Sequence, residues 1–220
     1  MEAWEKYLEA EKGYLEEIRR TQREAIMSAA KAVADATMSG GLIRVFGVGH
    51  SHLIADDVFY RSATLGNVQA ILEETATGNS EIFKSGFVEK LEGYAPLIVD
   101  YHKISPPDCA IVISNSGNNA MAIDFAAACR ERGVTVIALT NAAYSATLKP
   151  RHSSGRRLMD EGDIVVSNCS AIGDAAVELE GLPMRVGSTS SIPFIFLINA
   201  ILTQSVEIML SRGFVPDVYY

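Results

Sequence analysis

Hydroxyl and amide side chains crowd one short stretch, Ile113-Ser114-Asn115-Ser116-Gly117-Asn118-Asn119, between an apolar run and a helix-forming one. A strand that enters a helix through such a loop leaves backbone N–H groups free at the positive end of the helix dipole, an arrangement that favours an anion. Ser114, Ser116 and Asn119 add side-chain donors, Asn115 and Asn118 complete the lining, and Gly117 lets a ligand approach the backbone. No Gly-Lys-Ser/Thr follows, so this is not a Walker loop. The same residue types also suit a turn that merely caps the helix.

Groups able to move protons lie elsewhere. All four histidines, His50, His52, His102 and His152, fall in or near expected loops. His50 and His52 flank Ser51 directly after Gly47-Val48-Gly49. A His-x-His metal site has no evident third ligand there, so no metal is expected. Glu73 and Glu74 end an expected strand and could supply a base. Asp56 and Asp57 suit the N-terminal dipole of the helix after Gly49. Arg151-His152-Ser153-Ser154-Gly155-Arg156-Arg157 is the dense basic cluster, able to clamp a carboxylate or phosphate. Asp174 and Glu178 stand four apart on an expected helix, with a capping role for Asp174 as the alternative.

Elements must bring these residues together. Apolar spacing from Trp4 to Val33 gives one long helix over about 3–38, weakened at Gly13 and ended by Gly40-Gly41. Its stripe calls for a partner surface, naturally a second copy of the chain. Strands are expected over 42–46, 68–72, 97–100, 109–113, 134–139 and 164–166. Helices are expected over 51–64, 81–91, 120–132 and 192–212. The alternation implies right-handed crossovers and a parallel, doubly wound α/β sheet. Ligands of such sheets bind beyond the carboxyl ends of the strands, which points at 47–52, 114–119, 140–145 and 167–174.

Composition narrows the class. The chain has 220 residues, 48% hydrophobic and 21% charged, with a net charge of −8. That balance argues against a nucleic-acid binder, which needs a basic face, yet a local pocket can still be positive. Three scattered cysteines, Cys109, Cys129 and Cys169, suit reduced thiols. The acidic amphipathic start is unlike a signal peptide. The apolar stretch 192–202, broken by Pro193 and Asn199, is short for a membrane span. Cytoplasmic residence without a membrane partner is the expectation.

Several of these segments together resemble the SIS (sugar isomerase) phosphosugar-binding family. Its hallmark is a strand ending in Ser-x-Ser-Gly-x-Thr, then a helix, a Gly, and a strand ending in Thr-Asn. Ser114-Asn115-Ser116-Gly117, Gly133 and Thr140-Asn141 match it. Gly47-Val48-Gly49 matches the family's earlier glycine loop, and Gly187-Ser188-Thr189-Ser190 resembles a late segment of phosphoheptose isomerase-like and etherase-like members. The resemblance implies a five-stranded, flavodoxin-like, three-layer sandwich over 41–220, with residues 1–40 as an oligomerisation helix. It also implies a homodimer or homotetramer with sites at subunit junctions, a phosphosugar ligand and no cofactor. Ser114, Ser116, Asn118 and Asn119 would hold phosphate. Ser51 and Ser188 would lie near the sugar hydroxyls; Gly49, Asp174 and Thr189 are further substrate-binding candidates, with Arg151 and His152 of the basic loop. Glu73 or Glu74 would be the base, and His50 or His52 would open the ring. The family's Thr is Asn119 here, and Met121 replaces a frequent Glu. By offset from the glycines, Asp57, Arg61 and Thr64 occupy the Glu-Gly-Ala-x-Lys-x-x-Glu stretch of glucosamine-6-phosphate synthase, so Thr64 replaces its base. The implied activities are an aldose–ketose isomerase first, an amino-sugar acid phosphate etherase second, and a non-catalytic phosphosugar sensor third.

Overall fold

A computed structural model describes residues 1–79 and 81–220. Its N-terminus forms two helices, α1 (Ala3–Thr21) and α2 (Arg23–Met38), rather than one. The break falls at Gln22, not at Gly13: Gln22 leaves the helical region, and its Oε1 accepts the Ser167 N–H at 2.9 Å. Much of the expected outward stripe is buried within the chain. Ala29, Ala30, Val33 and Ala34 of α2 are fully enclosed, whereas Trp4 and Leu8 of α1 are exposed. Gly40, at φ +80°, turns the chain into the sheet, and a side chain on Gly41 would collide with the Pro107 carbonyl.

The strands are β1 (Ile43–Gly47), β2 (Val68–Ile71), β3 (Cys109–Ser114), β4 (Thr135–Thr140) and β5 (Ile164–Ser167). They pair in parallel in the order β2-β1-β3-β4-β5, the doubly wound, flavodoxin-like arrangement. Side chains alternate across it with period two. Ile111, Ile113, Ile137 and Leu139 join one core with α2 and the C-terminal helix. Ala110, Val112, Val136 and Ala138 join the other, with Phe46 stacked on Phe125, ring centroids 4.1 Å apart. Helices thus cover both faces, making three layers. Cys109 and Cys129 lie buried and unbridged, and burial pushes each thiol up to about 12.

The remaining helices are α3 (His52–Val58), α4 (Glu74–Thr77), α5 (Ile82–Val88), α6 (Ala95–Tyr101), α7 (Ala120–Glu131), α8 (Ala142–Thr147), α9 (Leu158–Glu161) and α10 (Ser191–Ser211). Four expectations need correction. The segment 97–100 is helix α6, begun by Pro96 in its first turn, where a missing N–H is harmless. The helix after Gly49 stops at Val58, because 63–66 pairs with the C-terminal tail through Ala63 N–H to Tyr219 O at 2.7 Å and Gly66 N–H to Asp217 O at 2.8 Å. Asp174 and Glu178 share no helix: Asp174 has φ +59°, and Val177 bridges Val186 in an antiparallel pair. The apolar stretch 192–202 extends to Ser211, giving a helix long and apolar enough, by length and composition alone, to cross a bilayer. Its Phe194, Leu197, Ile198 and Ile201 face lies in the core.

Strand register aligns the site. Gly47 pairs with Ile113, Ser114 with Thr140, and Thr140 with Ser167, so the loops after β1, β3, β4 and β5 leave one rim of the sheet.

Candidate functional site

The β3–α7 loop is a tight turn held by its own side chains. Gly117 has φ +60°, and its carbonyl accepts the Leu158 N–H at 2.8 Å. Its N–H turns inward to the Ser114 carbonyl at 3.1 Å and Oγ at 3.2 Å. Ser116 Oγ accepts the Asn118 N–H at 3.3 Å. Asn119 caps α7 by accepting the Met121 N–H at 3.1 Å. Among the described residues, the N–H groups of Ser116, Asn119 and Ala120 find no protein acceptor. These donors stand at the positive end of a twelve-residue helix, a setting suited to an anion.

Two of the loop's amides serve its neighbours. Asn115 Oδ1 accepts from Asn168 Nδ2 at 3.0 Å. Asn118 donates to the Lys149 carbonyl at 2.8 Å and accepts the Arg151 N–H at 2.9 Å, so it carries the basic loop to the site. A cleft of about 290 Å³ results, lined by Ser116, Asn118, Asn119, Arg151 and His152 together with Glu89, Lys90 and Glu92.

Those last three residues carry no loop signal in the sequence. They follow α5, whereas the strand-end rule searches only βα loops. Glu89 Oε2 accepts from Asn119 Nδ2 at 2.8 Å, and its carbonyl accepts the Met121 N–H at 3.2 Å. It also lies 3.9 Å from where a side chain on Gly49 would begin. Burial raises its pKa above the usual carboxylate range, against the opposing pull of Asn119, Lys90 and Arg151. Glu92 instead accepts both the Ser153 N–H at 2.8 Å and its hydroxyl, and these bonds hold its pKa low.

Asp124 on α7 joins the two walls of the cleft. Oδ2 accepts the Gly93 N–H at 2.7 Å, and Oδ1 meets His152 Nε2 at 2.9 Å. His152 Nδ1 accepts the Ser154 N–H at 3.1 Å, which fixes the proton on Nε2. An Asn at 124 can keep Gly93 while turning an N–H towards another N–H at His152. Asp124→Asn is therefore expected to speed hydrogen exchange across 150–157 and leave Gly93 protected, at about 1–2 kcal/mol. Mass spectrometry of exchanged peptides checks this, and equal opening of both segments would contradict it.

The other sequence-derived residues disperse. Gly49, His50 and His52 line a separate cavity of about 180 Å³ with Thr77 and Asn79. His50 is exposed and Ser51 half-buried. His52 is buried, its Nδ1 bonded to the Gly49 carbonyl and its Nε2 enclosed without a partner among the described residues. Glu73 stands just before α4 in extended backbone and accepts the Thr75 hydroxyl at 2.7 Å, while Glu74 is exposed. Asp174 accepts from Thr189 N–H at 2.9 Å, from its hydroxyl at 3.2 Å and from Ser190 Oγ at 3.0 Å. The Ser188 carbonyl accepts the Tyr7 hydroxyl at 2.6 Å. These contacts anchor the start of α10 and the face of α1.

Comparison with known proteins agrees with this architecture. The model of the SIS domain matches residues 6–141. A UPF0309 protein of Halalkalibacterium halodurans is 34% identical over 205 residues, covering 93% of this chain and 85% of that protein. The phosphoheptose isomerase GmhA of Neisseria gonorrhoeae superposes with a TM-score of 0.56 at 20% identity, covering 91% of this chain and 93% of that one. The Vibrio vulnificus NanR protein complexed with ManNAc-6P gives 0.59 at 18% identity and covers 94% of this chain, which spans only 63% of that protein. At such identities the structures speak for the fold alone. The domain match and the relative's identity over most of both chains are sufficient for the family: this chain belongs to the SIS domain proteins and, among them, to the UPF0309 group.

Proposed function

We propose that the cleft before α7 binds a phosphorylated sugar and that the chain is an aldose–ketose sugar-phosphate isomerase. The carrying observation is the set of unpartnered N–H groups at Ser116, Asn119 and Ala120, beside Lys90 and Arg151. Among the described residues neither cation has a carboxylate partner within ion-pair distance. The donors and cations suit the dianion of a phosphate monoester. Support also comes from a protein of this fold complexed with ManNAc-6P and from another named a phosphoheptose isomerase. In this reading the phosphate lies on the loop, and the sugar runs past Gly49 towards exposed His50, which serves ring opening. The protein works in the cytoplasm as a homo-oligomer. A second copy covers Trp4 and Leu8 of α1 and Ile192, Ile195 and Phe196 of α10, all exposed in the single chain.

The test is a thermal-shift and calorimetric panel of aldose and ketose phosphates. A ligand at about 100 times its Kd stabilises by about 2.7 kcal/mol, or about 5–10 °C for a domain of this size. Ser116→Leu places a branched side chain over the free amides and is expected to weaken binding at least about 100-fold. Unchanged affinity, or no shift with any sugar phosphate, overturns the proposal. Binding without turnover indicates a sensor, and lactate release from an amino-sugar acid phosphate indicates a lyase.

A further inference from the structure

We infer that Glu89 is the acid/base residue of this cleft, the carboxylate that moves a proton between adjacent sugar carbons. The assignment rests on the phosphosugar reading and deepens it. Position comes first: Glu89 stands between the anion loop, through Asn119 at 2.8 Å, and the Gly49 turn, 3.9 Å from a side chain placed there. A sugar whose phosphate sits on the loop and whose chain runs towards Gly49 passes this carboxylate.

Elimination agrees. Glu92 has both oxygens engaged by Ser153, and Asp124 has both engaged by Gly93 and His152. Glu73 accepts from Thr75, Glu74 is solvent-exposed, and Asp57 pairs with Arg61 at 2.5 Å. Among the described residues, Glu89 is the carboxylate of the cleft with a hydrogen bond on just one of its oxygens. Environment is consistent: half-buried, Glu89 faces Lys90, Arg151, Glu92 and His152 across the cleft, and burial moves its pKa towards neutrality, where a base both accepts and returns a proton.

The step balances without a co-reactant. The carboxylate takes the proton from C2 of the open-chain aldose phosphate, and the C–H electrons form the C1–C2 double bond of an enediolate. The O2 hydroxyl proton passes to O1. The carboxylic acid then returns its proton to C1, leaving C2 as the ketone: C1 is reduced and C2 oxidised.

The experiment measures two things on the full chain in D₂O, with ribose 5-phosphate, glucose 6-phosphate, mannose 6-phosphate and ManNAc-6P as probes. One is affinity; the other is deuterium incorporation beside the carbonyl. Glu89→Gln keeps an acceptor for Asn119 and should fold with an unchanged melting temperature. It is expected to bind within threefold of wild type and to lose exchange by about 1,000-fold. Glu89→Asp, one methylene shorter, is expected to exchange slowly with a retained pH dependence, its rate rising as the carboxylate ionises. Persistent exchange in Glu89→Gln overturns the assignment and leaves the phosphosugar reading standing. So does loss of binding in Glu89→Gln, or wild-type binding without exchange. Failure of wild type to bind any probe removes the phosphosugar reading itself.

Discussion

Replacing Glu11 by glutamine is expected to raise the melting temperature by about 10 °C at pH 8 and to change it little at pH 4. Glu11 lies on the inner face of α1, 4% exposed, with both carboxyl oxygens enclosed and, among the described residues, without a hydrogen-bond partner. The adjacent Tyr7 hydroxyl donates to the Ser188 carbonyl instead. Asp174, which accepts from three donors, adds like charge nearby. Burial pushes the Glu11 pKa from 4.5 to about 7 against the opposing pull of the neighbouring Tyr7 hydroxyl, and Asp174 adds a smaller rise. The folded chain therefore holds this proton more tightly than the unfolded one. Stability from this site is fully present below the unfolded value and drains away as pH rises through the folded one. Each unit is worth about 1.4 kcal/mol, so the whole window amounts to about 3 kcal/mol. Glutamine has the shape of the protonated acid and does not titrate, which cancels the loss at high pH. Thermal melts of both proteins from pH 4 to pH 8 read the gap, and a gap that stays constant with pH contradicts the argument.

The same cluster illustrates what a sequence can carry. Gly187-Ser188-Thr189-Ser190 stands out as a loop by its residue types, but its partners are Tyr7 and Asp174, 181 and 15 positions away in the case of Tyr7–Ser188 and Asp174–Thr189. Local spacing has no access to such contacts. Cys109 to Ile113 reads as a covered strand because every residue is apolar, and burial on both faces is the physical reason. Leu97-Ile98-Val99 reads the same way and is helical, because a short apolar run has no period long enough to decide and Pro96 fits a first turn as well as a loop. The turn between β3 and α7, from Ser114 to Asn119, is legible as a polar loop because its residue types are contiguous. Glu89 is not, since only the fold of the α5–α6 connection brings it to Asn119. His52 differs from its local signal: it follows the glycine turn as a ligand-side residue should, but its ring turns back onto the Gly49 carbonyl and is buried.

Gly117 is where fold and site depend on the same atom, or rather on its absence. At φ +60° an L-residue is strained, and a Cβ there would stand 2.8 Å from Ser145 Oγ and 2.9 Å from Thr140 Oγ1. Thr140 and Ser145 are both fully buried, so neither can swing into solvent. Gly117→Val is expected to destabilise by about 2–5 kcal/mol, combining backbone strain of about 1–3 with overpacking of similar size. Relief comes by turning the peptide, which breaks the Gly117 N–H bonds to Ser114 and tilts the neighbouring Ser116 amide away from the helix axis. Sugar-phosphate affinity should therefore fall with stability, by at least about 100-fold in the molecules that remain folded. Gly117→Ala, which keeps the clash but lacks the branched side chain, is expected to lie between. Denaturant midpoints and calorimetry on the three proteins separate the two losses. A valine variant that melts early yet binds sugar phosphate normally would show that the loop's shape is not what holds the anion.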